Sequence, residues 1–138
     1  MWRDIDRRAK KHCLQVTKTP VPYPLQEFDL ANKIGLVANK EGWYLEYFRE
    51  TYKVWFLEGK EAGSEQNLEE TFKNLGKNFV HVIDKSQEKA IADEYDHNTE
   101  EALALGIFGA PSFTVENEIF WGDDRLEDAI EYLRESEK

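Results

Sequence analysis

The sequence has one cysteine, and no long apolar run occurs in its 138 residues. The lone Cys13 cannot form an internal disulfide, which excludes a disulfide scaffold and favours a cytoplasmic location. No stretch approaches the roughly 18 apolar residues of a membrane-spanning helix, and residues 1–6 lack the apolar core of a secretory signal. A Cys-x-x-Cys exchange mechanism is also excluded, because it needs a second cysteine.

The chain has fewer basic than acidic residues. The chain carries 28 acidic and 18 basic residues, a net charge of −10, and 41% of its residues are apolar. Residues 1–20 reverse the trend, with six basic against two acidic side chains. Such an arm can bind nucleic acid, but the same charges fit one exposed helix face. We expect no nucleic-acid or membrane partner, and a single domain over residues 1–138.

Most of the first hundred residues have helical spacing of their apolar side chains. Three prolines in residues 17–24 interrupt the pattern with extended backbone. The third helix carries an aromatic stripe, Tyr44, Phe48, Tyr52 and Trp55, which we expect to lie mainly in the core. The predicted helices cover residues 2–14, 25–42, 43–57, 67–75, 79–84 and 86–105.

The last third predicts a β-hairpin and a final helix. Ser112–Val115 and Glu118–Trp121 are the strands, and Asn117 is the candidate for positive φ in the turn. Asp124 and Glu127 have the spacing of a capping box for the helix that follows. Two strands alone make a marginal sheet, so another element should cover or extend this hairpin.

Two motifs flank the hairpin, Gly106-Ile107-Phe108-Gly109-Ala110-Pro111-Ser112-Phe113 and Phe120-Trp121-Gly122-Asp123-Asp124-Arg125-Leu126. If the Ala110–Pro111 bond is cis, the backbone of Ala110 is free to pair with an extended peptide. The helix start after Gly122 suits a carboxylate, and Asp123 or Asp124 suits an ammonium group. The motifs therefore suit a zwitterionic peptide such as glutathione. Alternatively, Pro111 only opens a strand and Asp124 only caps a helix.

Together the motifs resemble the C-terminal signature of 2-hydroxychromene-2-carboxylate isomerases and kappa-class glutathione transferases. These are thioredoxin-fold proteins with a helical insertion, related to the DsbA oxidoreductases. Residues 2–9 are similar to the segment that enters the insertion, and residues 22–25 to the proline turn after it. The resemblance implies an α/β, thioredoxin-like but mostly α-helical fragment. Residues 1–105 are then the helical insertion and residues 106–138 a C-terminal β-β-α piece.

The resemblance also implies a glutathione site. Pro111 is then the cis-proline beside the thiol of glutathione, and Ala110 pairs with its cysteinyl backbone. Asp123 and Asp124 lie where the family binds the γ-glutamyl end, although family members more often have Ser or Gln at the position of Asp123. Glutathione is the expected cofactor of an isomerase or transferase.

A small aromatic molecule is the expected substrate, and Tyr44, Phe48 and Trp121 are the candidates for lining its pocket. The family's catalytic serine belongs to an N-terminal β-α-β unit that has no counterpart in residues 1–138. Because that serine polarises the sulfur of glutathione, we expect little or no turnover from this chain alone. Whether it acts as an enzyme stays open.

Other chemistry-bearing residues point to no second site. His12 and Cys13 are adjacent, and adjacent side chains on a helix point in different directions. His81 and His97 have no partner at metal-ligand spacing, so no metal is expected. Ser64 and Ser86 lie on predicted turns without an evident base. No catalytic residue is assigned.

A non-catalytic alternative also fits the apolar hairpin. The chain is then a self-associating module derived from a DsbA-like protein, a homo-oligomer that hides its hairpin by edge-to-edge pairing across a two-fold axis.

Overall fold

The structure, a computed structural model, describes residues 1–15 and 19–136. The start of the predicted proline segment, residues 17 and 18, lies outside this part. The chain folds as two compact units, Met1–Tyr95 and Asp96–Lys138. None of the described helices combines the length and apolar character that crossing a bilayer requires.

The predicted order of helices, hairpin and final helix is confirmed. The helices are α1 (Trp2–Lys11), α2 (Phe28–Lys40), α3 (Tyr44–Glu58), α4 (Glu65–Leu75), α5 (Phe79–Ser86), α6 (Lys89–Ala104) and α7 (Leu126–Ser136). The strands β1 (Ser112–Val115) and β2 (Glu118–Trp121) lie between α6 and α7.

Helix ends differ from the predictions by a few residues. The first helix ends at Lys11 rather than Leu14, because Cys13 adopts a left-handed conformation with φ 55°. The fourth begins at Glu65, since the Ser64 hydroxyl accepts a hydrogen bond from the N–H of Asn67 at 3.3 Å. A backbone conformation and a side-chain cap thus decide ends that hydrophobic periodicity does not.

The Met1–Tyr95 unit has its core where α2, α3, α4, α5 and the start of α6 meet. The buried members of this cluster are Ile34, Val37, Ala38, Trp43, Tyr47, Leu68, Phe72, Val82 and Ile91. A second cluster, Val21, Trp55 and Ala62 with Trp2, Leu25 and Phe56, joins α1 and the proline segment to α3.

The predicted core stripe of α3 is mostly wrong. Tyr44, Phe48 and Tyr52 are each 42–44% exposed, and only Trp55 of the stripe is buried. The core side of α3 instead carries Tyr47, Thr51, Val54 and Trp55. The helix has apolar side chains on two neighbouring faces, so periodicity alone does not identify the face that packs.

Asn67 forms the polar junction between α3 and α4. Its Nδ2 donates to the backbone carbonyls of Thr51 and Lys60 at 3.1 and 3.0 Å. Its Oδ1 accepts from the hydroxyls of Thr51 and Thr71 at 2.8 and 3.3 Å. Because Asn67 is fully buried, these four bonds satisfy an amide that has no access to water.

The Asp96–Lys138 unit contains the antiparallel hairpin. Phe113 of β1 lies opposite Phe120 of β2, and the ring of Phe120 packs 5.7 Å from that of Tyr132 on α7. Within the described part of this unit, Ala129 is the only buried residue. The hairpin is therefore covered by α7 without a closed core of its own.

Two local predictions at the hairpin are wrong. Glu116, not Asn117, has positive φ in the turn, at 53°. Asp124 is not a helix cap, because Asp123–Arg125 form a 3₁₀ turn and α7 begins only at Leu126. Gly122 has φ 120° and begins this tight turn, so the chain enters α7 through a 3₁₀ segment.

Candidate functional site

One backbone hydrogen bond places the two sequence motifs side by side. The N–H of Gly122 donates to the carbonyl of Pro111 at 3.0 Å. The Ala110–Pro111 bond is cis, the geometry that the resemblance implies. Ala110 and Pro111 are exposed, and the backbone N–H and C=O of Ala110 bond to no other described backbone group.

The Gly-Ala-Pro turn is held from two sides. The Ser112 hydroxyl donates to the carbonyl of Gly109 at 2.6 Å. On the other side the indole of Trp121 lies so close that a Cβ on Gly109 would be 2.5 Å from its Nε1. Only glycine allows this approach.

Phe108 and Trp121 form an exposed aromatic pair next to this turn. Their ring centroids are 5.2 Å apart with the planes inclined by 60°, and the two residues are 72% and 56% exposed. Trp121 was a predicted pocket residue, whereas Phe108 was missed. The sequence signal that could have identified Phe108 was its position in the first motif, two residues before Ala110.

The predicted γ-glutamyl side of the site lies across the hydrogen bond from Pro111. Asp123 and Asp124 are exposed, and the Asp124 carboxylate turns back over Gly122. In the described chain the N–H of Asp124 donates to no backbone carbonyl. The segment therefore offers a backbone donor and carboxylate acceptors within a few residues.

Tyr44 and Phe48, the other predicted pocket residues, belong to the Met1–Tyr95 unit. Their rings are 6.2 Å apart on the exposed face of α3, in a row that continues from Phe48 to Tyr52 at 4.6 Å. Partial burial raises the pKa of Tyr52, and the neighbouring Tyr44 adds to this. Stronger burial raises the pKa of Tyr47, on the core side, far above its ordinary value.

His81, Ser64 and Ser86 have local partners. Nε2 of His81 lies 2.9 Å from the Glu41 carboxylate, which also accepts from the Trp43 indole at 2.8 Å. The hydrogen bond with His81, followed by that from Trp43, lowers the pKa of Glu41. Ser64 caps α4, and the Ser86 hydroxyl donates to a carbonyl of its own helix.

The remaining candidate residues are His97, His12 and Cys13, and all three are exposed. No group of three or more His, Cys, Asp or Glu side chains among the described residues has the arrangement of a metal site.

Comparisons with known proteins cover almost the whole chain. A family model described as the DSBA-like thioredoxin domain matches residues 1–134. A curated 2-hydroxychromene-2-carboxylate isomerase from Sphingobium xenophagum is 25% identical over 134 residues, which are 96% of this chain and 66% of that protein. A solved structure of a 2-hydroxychromene-2-carboxylate isomerase matches with a TM-score of 0.77 at 21% identity, over 97% of this chain and 66% of that one. At this identity the structural match establishes the fold alone.

Proposed function

The chain belongs to the DSBA-like thioredoxin domain family, and on that basis we propose that it is the glutathione-binding part of a glutathione-dependent isomerase or transferase. The observation that carries the proposal is the hydrogen bond from Gly122 to Pro111. This bond joins the residue after Ala110 to the residue before Asp123, which supports a site that uses both segments. A peptide with one ammonium and one carboxylate at its γ-glutamyl end matches these groups.

Each residue has a distinct binding task in this proposal. The backbone of Ala110 pairs with the cysteinyl residue of glutathione. The backbone N–H of Asp124 receives the γ-glutamyl carboxylate, and the Asp124 side chain receives the ammonium group. Asp123 lies beside the same end of the peptide.

Bound glutathione supplies a thiol nucleophile that can add to an electrophilic substrate. The chain's own contribution is to fix the peptide and to offer apolar surface beside it. Phe108 and Trp121 supply that surface, and a flat aromatic substrate suits it because aromatic rings stack or pack edge to face. That Tyr44 and Phe48 line the substrate pocket stays a prediction from the sequence.

Turnover needs a group that residues 1–138 do not supply. By family resemblance a serine polarises the glutathione sulfur, and no serine of this chain matches it. We therefore propose that the chain binds glutathione and, alone, isomerises a hydroxychromene carboxylate little or not at all.

Calorimetric titration with reduced glutathione tests the binding site. Asp124→Asn should weaken binding about tenfold, because it removes a charge-assisted contact to the ammonium group. The matched control is Asp128→Asn, which removes a carboxylate in the first turn of α7 that pairs with Arg125 at 2.9 Å. Equal affinities for the wild type and Asp124→Asn would contradict the assignment.

A second candidate function is that of a non-catalytic, self-associating module. The observation in its favour is that Ala129 alone is buried in the described part of the Asp96–Lys138 unit, while Phe108 and Trp121 are exposed. Exposed apolar surface of this kind favours association. A monodisperse monomer in light scattering at high protein concentration would exclude this function.

A further inference from the structure

The Ser112 hydroxyl is bound to the Gly-Ala-Pro turn, which the proposed function assigns to glutathione. It donates to the carbonyl of Gly109 at 2.6 Å, and Ser112 is half-buried at the start of β1. The N–H of Gly122 donates to the carbonyl of Pro111. The carbonyls of the residues before and after Ala110 are thus both held, the first by a side chain and the second by the backbone.

The carbonyl of Gly109 and the N–H of Ala110 belong to one peptide group. This group is trans, so it is planar and its C=O and N–H point in opposite directions. A hydrogen bond that fixes the direction of the Gly109 carbonyl therefore also fixes the direction of the Ala110 N–H. That N–H donates to no backbone carbonyl of the described residues, and it points away from the Ser112 hydroxyl.

The glycine at position 109 gives this restraint its importance. The indole of Trp121 leaves no room for a Cβ at Gly109, and a residue without Cβ has more freedom about its backbone bonds. The peptide group between Gly109 and Ala110 can therefore turn over unless its carbonyl is held. In the described part of the chain, the side chain that bonds to this carbonyl is Ser112.

We propose that Ser112 is a positioning residue, whose hydroxyl holds the Gly109–Ala110 peptide group so that the Ala110 N–H can donate to the cysteinyl carbonyl of glutathione. This inference rests on the proposed function and adds a residue that acts through the backbone of another. Ser112 commits its single O–H donor to Gly109. Its task is therefore distinct from that of the serine which, by family resemblance, polarises the glutathione sulfur.

Calorimetric titration with reduced glutathione tests this role with matched serine variants. Ser112→Ala should weaken binding about three- to tenfold, because the hydrogen bond that orders the donor is lost. Ser112→Thr keeps the hydroxyl and suits a strand, so it should restore most of the affinity. The control is Ser136→Ala, which should bind like the wild type. Ser136 also donates to the carbonyl three residues before it, at 2.9 Å, but it lies at the end of α7.

A modified ligand separates positioning from a general loss of structure. A glutathione analogue with a fluoroalkene in place of the cysteinyl–glycine amide keeps the shape of the peptide but is a poor acceptor for the Ala110 N–H. The wild type should bind this analogue more weakly than glutathione. Ser112→Ala should discriminate much less between the two ligands, because both changes affect the same contact and their effects are then not additive.

Circular dichroism shows whether each variant is folded. If Ser112→Ala does not fold, Ser112→Cys takes its place, because a thiol is similar in size and donates only weakly. A folded Ser112→Ala or Ser112→Cys variant that binds glutathione like the wild type would overturn the role of Ser112 and leave the glutathione site in place. Equal discrimination against the analogue by wild type and variant would do the same. A wild type that does not bind reduced glutathione would overturn the proposed function and this role with it.

Discussion

At some positions of the site, close contact with neighbouring atoms determines which residue type fits. Gly109 is an instance, since a Cβ there would meet the Trp121 indole at 2.5 Å. The sequence showed Pro111 and the paired aspartates as a motif, because the resemblance rests on them. It did not show the contact between Gly109 and Trp121, which depends on how the hairpin folds back over the turn.

Gly109→Ala should displace Trp121 and weaken glutathione binding. The added methyl group overlaps the indole, and relieving such overlap costs about 1–3 kcal/mol. The measurement is the NMR shift of the Trp121 indole N–H together with glutathione affinity. Gly35→Ala is the control, because its Cβ would be at an ordinary 3.4 Å from Tyr44. An unmoved Trp121 signal in Gly109→Ala would refute the contact.

Glu41 links residue chemistry to the pH dependence of stability. Its hydrogen bonds with His81 and Trp43 lower its pKa below the ordinary 4.5. A carboxyl group with a lowered pKa in the folded state stabilises the protein at pH values above its pKa in the unfolded state. This contribution disappears as the pH falls through its pKa in the folded state. Glu41→Gln should therefore reduce the unfolding free energy by about 0.5 kcal/mol at neutral pH, since the pair is exposed and screened.

Urea unfolding of wild type and Glu41→Gln across the acid range checks this. The difference between them should shrink to zero below the folded-state pKa of Glu41. A difference that stays constant into acid would mean that the charge of Glu41 contributes nothing.

At the scale of elements, the hydrophobic spacing predicted each helix and the hairpin, while the packing face of α3 was wrong. Tyr44 and Tyr47 are three residues apart, and both fit an apolar pattern. The partners on α2 and α4 decide which one is buried, and those partners are distant in sequence. The capping box at Asp124 failed for a related reason, because the conformation of Gly122 overrides the local spacing.

Paired alanine variants on α3 separate the two faces. Tyr47→Ala should cost about 3–5 kcal/mol, because it removes a buried ring and its hydrogen bond to the Ala31 carbonyl at 2.9 Å. Phe48→Ala removes an exposed ring and should cost less than about 1 kcal/mol. Chemical denaturation measures both, and similar losses would contradict the assignment of the buried face.

The junction of α3 and α4 depends on the neutral amide of Asn67. Asn67→Asp places a carboxylate where two backbone carbonyls need a donor, so we expect a loss of about 3 kcal/mol or more. Asn32→Asp, on the exposed part of α2, should change stability by no more than about 0.5 kcal/mol. Thermal unfolding of both variants provides the comparison. A loss at Asn67 no larger than that at Asn32 would show that the network is dispensable.

At the scale of the whole molecule, one unit contains the core and the other contains the proposed glutathione site. The Met1–Tyr95 unit holds nearly all buried apolar side chains, and the Asp96–Lys138 unit holds the proposed glutathione residues. From the two strands the sequence predicted that another element should cover or extend the hairpin, and α7 packs against it. The sequence could not predict how few of the hairpin's residues are buried, because burial depends on the whole packing arrangement.

Hydrogen exchange should follow this division. Amides of β1, β2 and α7 should exchange faster than those of α2, α3 and α4, because few buried side chains oppose local opening there. Mass spectrometry or NMR can measure both sets in one sample. Equal protection of the two units would contradict the burial that the structure shows.

The central claim is that the Ala110–Pro111 turn and the Asp123–Asp124 segment form one glutathione site. The most direct measurement is an amide NMR titration of the chain with reduced glutathione. We predict saturable shifts concentrated in residues 108–112 and 121–125. Absence of shifts at millimolar glutathione, or shifts confined to residues 1–95, would contradict the account.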